Sequence, residues 1–287
     1  MTMPTLLVGP NSLPAAAIAG PIAILIVGSA LFWVWGILKW RRDSGRNSME
    51  LPSVSVLIAG RNEELYIRTV LESILKCDYP QDKFAVFFVD DHSTDETYHI
   101  ASEIAVQSRG RLHVLTAPPI PKGHSPKKSA LAFGIQQTDG DILLFTDADS
   151  KVQPGWLRSV VSAYDSSTGA VAGATMPGAG HGMHQRLYRL ERFLTALTSA
   201  SAIGHGSPAS VTGQNFSFRR SAFEDVGGYA HPGVASGDDD LMAQAFARRG
   251  WTVKFCDKPE SVVTDRRPPE PRSRQRDDDH QPARLGL

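Results

Sequence analysis

The sequence predicts an α/β protein, a mostly parallel central sheet with flanking helices, preceded by one transmembrane helix. Short apolar, β-branched or aromatic runs alternate with helix-like stretches, the runs end in polar residues, and no charged side chain occurs before Lys39. The runs are Val54–Ala59, Phe84–Val89, Leu112–Leu115 and Ile142–Phe145, with helix-like stretches near Glu64–Lys76, Asp95–Gln107 and Lys127–Gln137 between them. Strands buried on both faces read as continuous apolar runs, and the helices supply the crossovers that parallel pairing requires. In such sheets ligands bind beyond the carboxyl ends of the strands. Arg61-Asn62-Glu63, Asp90-Asp91 and Asp147-Ala148-Asp149 stand there.

Ala15 to Leu38 is apolar throughout, broken only by glycines, Pro21 and Ser29. As a helix it spans about 36 Å at ~1.5 Å per residue, against a bilayer core of ~30 Å. Lys39, Arg41 and Arg42 follow, and Phe32, Trp33, Trp35 and Trp40 crowd that end, the pattern of an aromatic belt beside a positive-inside flank. The expected layout is residues 1–14 outside the cytoplasm, 15–38 as a single pass of the inner membrane, 39–52 as a basic and polar linker, 53–265 as a cytoplasmic globular domain and 266–287 as a disordered tail. A cleaved signal peptide would need a basic start that is lacking here, and buried core helices rarely run so long uncharged.

The 287 residues carry 30 basic and 30 acidic side chains, so no global field points to nucleic acid, and no nucleic-acid partner is expected. Cys77 and Cys256 stand far apart in no metal-ligand spacing and read as core residues of a protein from a reducing compartment. Met183, Leu187, Leu190, Leu194 and Leu197 recur at four- and three-residue steps, predicting a helix with one apolar stripe that either joins the core, the commoner case, or lies on a membrane surface.

Four clusters carry candidate chemistry. Asp147 and Asp149, two apart after an apolar strand, would in extended backbone point to one side and share a hard cation or a ribose-metal cluster. The same pattern also opens dehalogenase-type phosphatases, where the first Asp is a nucleophile, or is a plain polar turn. Asp90-Asp91-His92-Ser93-Thr94-Asp95 would set acidic groups beside that cluster, Asp91 accepting hydrogen bonds from a nucleobase or ribose, while Ser93 with Glu96 reads as a capping box. Lys127-Lys128 opens a helix and offers a charge for phosphate, or is a solvated helix end. Asp238-Asp239-Asp240 opens another helix. One of the three serves as an N-cap, yet adjacent carboxylates repel unless a cation or a reaction uses them, and a carboxylate in a cleft can be tuned as a general base.

Taken in order, these motifs resemble glycosyltransferase family 2, in its membrane-associated branch with a GT-A type fold, over roughly Pro52 to Asp265. Val54–Glu64 is similar to the family's opening strand with its Asn-Glu, Val89–Thr94 to its Asp-Asp-x-Ser-Thr, and Lys127–Leu131 to Lys-x-x-Ala-Leu. Thr146–Asp149 resembles the metal-binding Asp-x-Asp, Thr212–Tyr229 the acceptor-side segment, and Gly237–Leu241 the Glu-Asp-x-x-Leu that carries the base. The resemblance implies a GT-A type nucleotide-diphospho-sugar transferase fold and metal-dependent, inverting transfer from a nucleotide-diphospho-sugar donor to a saccharide or lipid-linked acceptor at the cytoplasmic membrane face. Glu63, Asp90, Asp91, Lys127 and Asp147 would bind the donor, and Asp147 and Asp149 would hold Mg2+ or Mn2+. Asp238 would be the base, with Asp239 open because Gly237 replaces the family's Glu. Beyond Arg274-Gln275-Arg276 the expected Arg-Trp and further membrane helices do not follow. The tail therefore reads as that of a shortened or frame-shifted member, which leaves a donor-binding remnant without turnover as the alternative.

Overall fold

The computed structural model describes residues 27–40, 51–119, 125–229 and 238–266. β1 (Val54–Gly60), β2 (Phe84–Asp90), β3 (Leu112–Thr116) and β4 (Ile142–Phe145) lie in the order β3-β2-β1-β4 and pair in parallel. The sheet continues through β8 (Phe216–Arg219), β6 (Thr168–Gly173) and β9 (Thr252–Cys256). Only β8 of these strands runs antiparallel to its neighbours. A second sheet orders β5 (Ser150–Lys151), β10 (Val263–Asp265) and β7 (Thr175–Pro177) as β5-β10-β7.

Strand alternation divides the core. Val54, Val56 and Ile58 of β1 face α2 (Ile67–Leu75), α3 (Thr97–Gln107) and α5 (Trp156–Val161), whereas Leu57, with Leu143 and Phe145 of β4, faces the other layer. That layer contains α4 (Pro126–Gln136), the end of α6 (Met183–Gly204), α7 (Arg220–Asp225) and α8 (Asp238–Arg248). In α2 the three- and four-residue spacing of Ile67, Val70, Leu71 and Ile74 puts all four side chains at 0% exposure, each burial contributing roughly 1.5–3 kcal/mol. Gly134 lets α4 lie close on the sheet, since a Cβ there would come within 2.9 Å of Val89 and 3.1 Å of Leu57. Both cysteines are buried and free of disulfides.

The loops after β1 and β2 clasp each other. Asn62 and His92 both adopt left-handed backbone, φ 57°. The Asn62 amide donates to Ser93 Oγ (3.0 Å) and the Thr94 amide to Asn62 Oδ1 (2.8 Å). The Glu63 amide donates to Thr97 Oγ1 (2.6 Å), the Glu64 amide to Asp95 Oδ2 (3.2 Å) and the Glu96 amide to Glu64 Oε2 (3.1 Å). Ser93 therefore closes no capping box. α3 begins at Thr97, whose amide donates to Asp95 Oδ1 at 3.0 Å.

Two further expectations are corrected. No described helix is long and apolar enough to cross a membrane. The described part of the expected 15–38 span is a helix, α1 (residues 27–40), about 20 Å long at ~1.5 Å per residue and short of a ~30 Å bilayer core. Its last turns are packed on protein: Trp40 is buried and donates from Nε1 to the Phe255 carbonyl (2.9 Å), and Ser201 Oγ donates to the Trp33 carbonyl (3.1 Å). The single-pass inner-membrane placement, with its outside and cytoplasmic sides, is set aside on that ground. Residues 1–14, the rest of that span, most of the linker and residues 267–287 of the tail lie outside the described residues. The second correction concerns α6. The helix forms, but Met183, Leu187, Leu190 and Leu194 are each more than half exposed and joining the core begins only near Ser199, so the stripe is not a core face.

A Cβ at Gly36 would lie 2.4 Å from Ser201 Oγ and 2.6 Å from its carbonyl oxygen, so Gly36→Val is expected to lift α1 and lower Tm by several degrees in a calorimetric scan. Lys254, its side chain 8% exposed, holds Asp165 at 2.6 Å. Burial works against the Asp165 charge, but the Lys254 bond and the Ser167 and Thr168 hydroxyls outweigh it and depress the carboxyl well below its ordinary value. A depressed carboxylate stabilises the fold above its unfolded value of ~3.9 and loses that contribution as acid titrates through the folded value. Lys254→Ala should cost about 3 kcal/mol at pH 7 in urea titrations, and the deficit should shrink below pH 4.

Candidate active site

Because β1, β2 and β4 are parallel and in register, their carboxyl ends form one edge: Gly60 pairs with Asp90, and Leu57 with Phe145. Ala148 and Glu63 both cover the end of β1, where a Cβ on Gly60 would lie 2.7 Å from the Ala148 Cβ and 3.4 Å from the Glu63 Cγ. Glu63 is thus brought beside the Asp147–Asp149 loop at 9% exposure. That loop is a turn, not extended backbone, with the Ser150 amide donating to the Asp147 carbonyl (3.2 Å).

Lys127, in the first turn of α4, donates from Nζ to Asp147 Oδ1 at 2.5 Å. Its ammonium is held above the ordinary lysine value first by the Asp147 charge, against the loss of water around it, with Asp239 and Asp149 adding to the shift. One cation from α4 therefore faces carboxylates from the β4 loop and from α8. The neighbouring Lys128 lies 5.6 Å over the Tyr229 ring instead.

Asp239 reaches this group because residue 213 has no side chain: a Cβ on Gly213 would fall 2.3 Å from Asp239 Oδ2. Asp240 turns away and accepts the Val211 amide at 2.5 Å. Asp238 opens α8, and its side chain lies outside those described. Asp239 and Asp240, though adjacent, thus serve different tasks.

Asp90 and Asp91 stand one strand away, 3% and 6% exposed. Asp90 Oδ2 accepts the Ser93 amide (3.1 Å). Asp90 Oδ1 and Asp91 Oδ1 are buried with no hydrogen-bond partner among the described residues. A buried carboxylate oxygen in that condition costs free energy until a donor reaches it, and the N–H groups of a nucleobase are donors of the right kind.

Two residues of the Thr212–Tyr229 segment have distinct tasks. Asn215 is structural, donating to the Ala174 and Ser261 carbonyls (2.8 Å each) and accepting from Trp156 Nε1 (3.1 Å). Gln214 accepts from Arg192 of α6 (3.2 Å) and donates to Ser150 Oγ (2.9 Å), next to Asp149. The Arg192–Gln214–Ser150 link leaves no signal in the sequence. Its three members are far apart in sequence, and no spacing announces it.

Among the described residues no three His, Cys, Asp or Glu side chains gather into a set that could hold a metal. Asp147 and Asp149 are hard oxygen donors, however. They suit a Mg2+ or Mn2+ ion that takes one or two protein carboxylates and completes its shell with phosphate oxygens and water.

A mostly parallel central sheet flanked by helices is the GT-A-like arrangement. Solved structures share it: the mannosyltransferase PcManGT from Pyrobaculum calidifontis, in complex with GDP-Man and Mn2+, superposes with a TM-score of 0.62 at 23% identity, covering 86% of this chain and 68% of that one. S. aureus TarS 1-349 in complex with UDP-GlcNAc gives 0.53 at 22% identity, covering 76% of this chain and 60% of that one. At such identity the likeness shows the fold alone. The Glycosyl transferase family 2 model matches residues 55–227, and the chain belongs to that family. This sets the phosphatase reading aside. Among relatives, the Probable glycosyltransferase YdaM of Bacillus subtilis is 30% identical over 223 residues, 76% of this chain and 51% of its own length. A Beta-monoglucosyldiacylglycerol synthase of Synechocystis is 30% identical over 215 residues, 74% of this chain and 44% of its own length. The chain spans about half the length of the curated relatives it matches.

Gly213→Ala tests the geometry at its tightest point. The added methyl must displace the Asp239 carboxylate, so Lys127 loses one of the charges that raise it. Its titration, followed by NMR of the ammonium, should move toward the ordinary lysine value while far-ultraviolet circular dichroism stays unchanged.

Proposed function

We propose that this chain is an inverting glycosyltransferase that moves a sugar from a nucleotide-diphospho-sugar to a lipid or saccharide acceptor with a divalent cation. The observation that carries this is the convergence of Lys127, Asp147, Asp149 and Asp239 at the edge where β1, β2 and β4 end. Asp91, with Asp90 behind it, accepts hydrogen bonds from the base or ribose, and Glu63 closes that side. Lys127 neutralises diphosphate oxygens. Asp147 and Asp149 would hold the Mg2+ or Mn2+, which would supply charge stabilisation to the departing diphosphate.

The acceptor hydroxyl gives its proton to a carboxylate at the start of α8 as its oxygen attacks C1. The bond from C1 to the diphosphate oxygen breaks, the diphosphate leaves with the electron pair, and the anomeric centre inverts in one displacement. Asp238 holds the base position by its place in the family motif. Asp239 is the alternative, because its carboxylate lies against Gly213 and acts on Lys127. The names of the relatives, among them a Beta-monoglucosyldiacylglycerol synthase, support a lipid or saccharide as acceptor.

Thermal shift against a panel of UDP- and GDP-sugars, with and without Mn2+, tests donor binding. A bound donor at a hundred times its Kd stabilises by about 2.7 kcal/mol. One donor should respond, Mn2+ should enhance it, and Asp149→Asn should abolish the enhancement. A flat response to every donor refutes the proposal. In transfer assays, replacing the base by Asn should lower kcat by about 10²–10⁴ while leaving donor binding intact, so Asp238→Asn and Asp239→Asn decide between the two. Donor binding with no transfer to any lipid or saccharide would identify a binding chain without turnover.

A further inference from the structure

The first half of α6 turns a polar face toward the protein. Gln185, Tyr188, Arg189 and Arg192 stand at i, i+3, i+4 and i+7 and so share one side of the helix. Each bonds inward. Gln185 and Arg189 donate to the Gly178 carbonyl (2.9 and 3.4 Å), Tyr188 donates to Asp265 Oδ2 (3.2 Å) and Arg192 donates to Gln214 Oε1 (3.2 Å). Because α6 joins the core only near Ser199, directed hydrogen bonds rather than apolar burial seat these turns.

Two of those bonds lead to the peptide that joins Asp149 to Ser150. Gln214 extends the Arg192 contact by donating from Nε2 to Ser150 Oγ at 2.9 Å. β10 supplies the other path. Asp265 stands opposite Ser150 in the antiparallel β5–β10 pair, and the next amide, that of Arg266, donates to the Asp149 carbonyl (3.2 Å). Ser150 is 0% and Gln214 8% exposed, so the bond between them lies out of reach of bulk water. The orientation of the Gln214 amide follows from its partner. A guanidinium only donates, so Oε1 must face Arg192 and the amide N–H groups are left for Ser150. Arginine keeps its charge at any working pH, which fixes that orientation.

We propose that Arg192 and Gln214 are a positioning pair for Asp149. Lys127 holds the Asp147 end of the loop at 2.5 Å, and Arg192, through Gln214 and Ser150, holds the other end. This deepens the cation side of the function proposed above and rests on Asp149 as a residue that would hold Mg2+ or Mn2+. A small hard cation demands close placement of its ligands, and groups that orient a ligand without touching the metal govern its affinity. Seating of α6 is already served by the bonds to Gly178 and Asp265. The Arg192 bond differs in that its far end is the residue next to Asp149.

Calorimetric titration of the full chain with UDP and with GDP, each with and without Mn2+, gives the factor by which the cation tightens nucleotide binding. A general loss of nucleotide affinity leaves that factor unchanged, because it is a ratio of two affinities of the same variant. Arg192→Met should cut the factor about tenfold, the scale found for residues that orient a metal ligand, while binding without Mn2+ is preserved. Arg192→Lys, which keeps a charged donor, should recover most of it, and Gln214→Met should match Arg192→Met. Arg192 is only half-buried on α6, so its variants should fold, as circular dichroism checks. Arg189→Met, on the same face but bonded to the Gly178 carbonyl, should keep the wild-type factor. An unchanged factor in Arg192→Met overturns the proposal. So does an equal loss in Arg189→Met, which would make the effect one of seating α6 in general. If the wild type binds neither nucleotide, or Mn2+ tightens neither, the function proposed above fails and this inference with it. A wild-type factor that survives Arg192→Met removes the inference alone and leaves that function standing.

Discussion

Parallel pairing of β1 with both β2 and β4 is the constraint on which the rest of the structure depends. Parallel strands end on the same side, so the residues after each strand are delivered to one edge whatever their separation in sequence. Asp90-Asp91 and Asp147-Ala148-Asp149 are more than fifty residues apart, yet flank the end of β1. The antiparallel β8 then returns the chain past β4 and brings Gly213 and Gln214 to the same edge.

Charge at the edge is divided rather than pooled. Lys127 offsets part of the carboxylate repulsion, Asp240 is spent on the Val211 amide, and Asp90 shares itself between the Ser93 amide and the interior. What is left for ligands is a short list of oxygens, each held by a different element. Such an arrangement is what the proposed donor would need at its base, its diphosphate and its sugar, and the proposed cation would arrive with phosphate oxygens rather than be caged by protein.

The strands and their polar ends were legible in sequence because a fully buried parallel strand must be an unbroken apolar run, as Val54–Ala59 and Ile142–Phe145 are. The order of Asp90-Asp91, Lys127, Asp147-Ala148-Asp149 and Asp238-Asp239 was legible for the same reason, each cluster being tied to an element boundary. What failed did so where a local pattern serves two physical ends. Ser93 and Glu96 have capping-box spacing, but Ser93 answers the Asn62 amide across the β1 loop. The α6 leucines have the period of a core helix, and period states which side is apolar, not what it meets. The uncharged run ahead of Lys39 has the hydropathy of a membrane span, while Gly36 and Trp40 at its end make a tight contact with α6 and β9. The Arg192–Gln214–Ser150 link lies in tertiary contacts that no local window contains.

The clasp between the β1 and β2 loops bears on how this edge of the sheet holds together. The amides of Asn62, Glu63 and Glu64 are satisfied by side chains of Ser93, Thr97 and Asp95, and those of Thr94 and Glu96 by Asn62 and Glu64. Neither loop is complete by itself. Opening one strips hydrogen bonds from the other, so the two loops exchange their amide protons as one cooperative unit, and thermal fluctuations cannot loosen Glu63 without also disturbing the approach to Asp91. A ligand that held either residue would thereby tighten both.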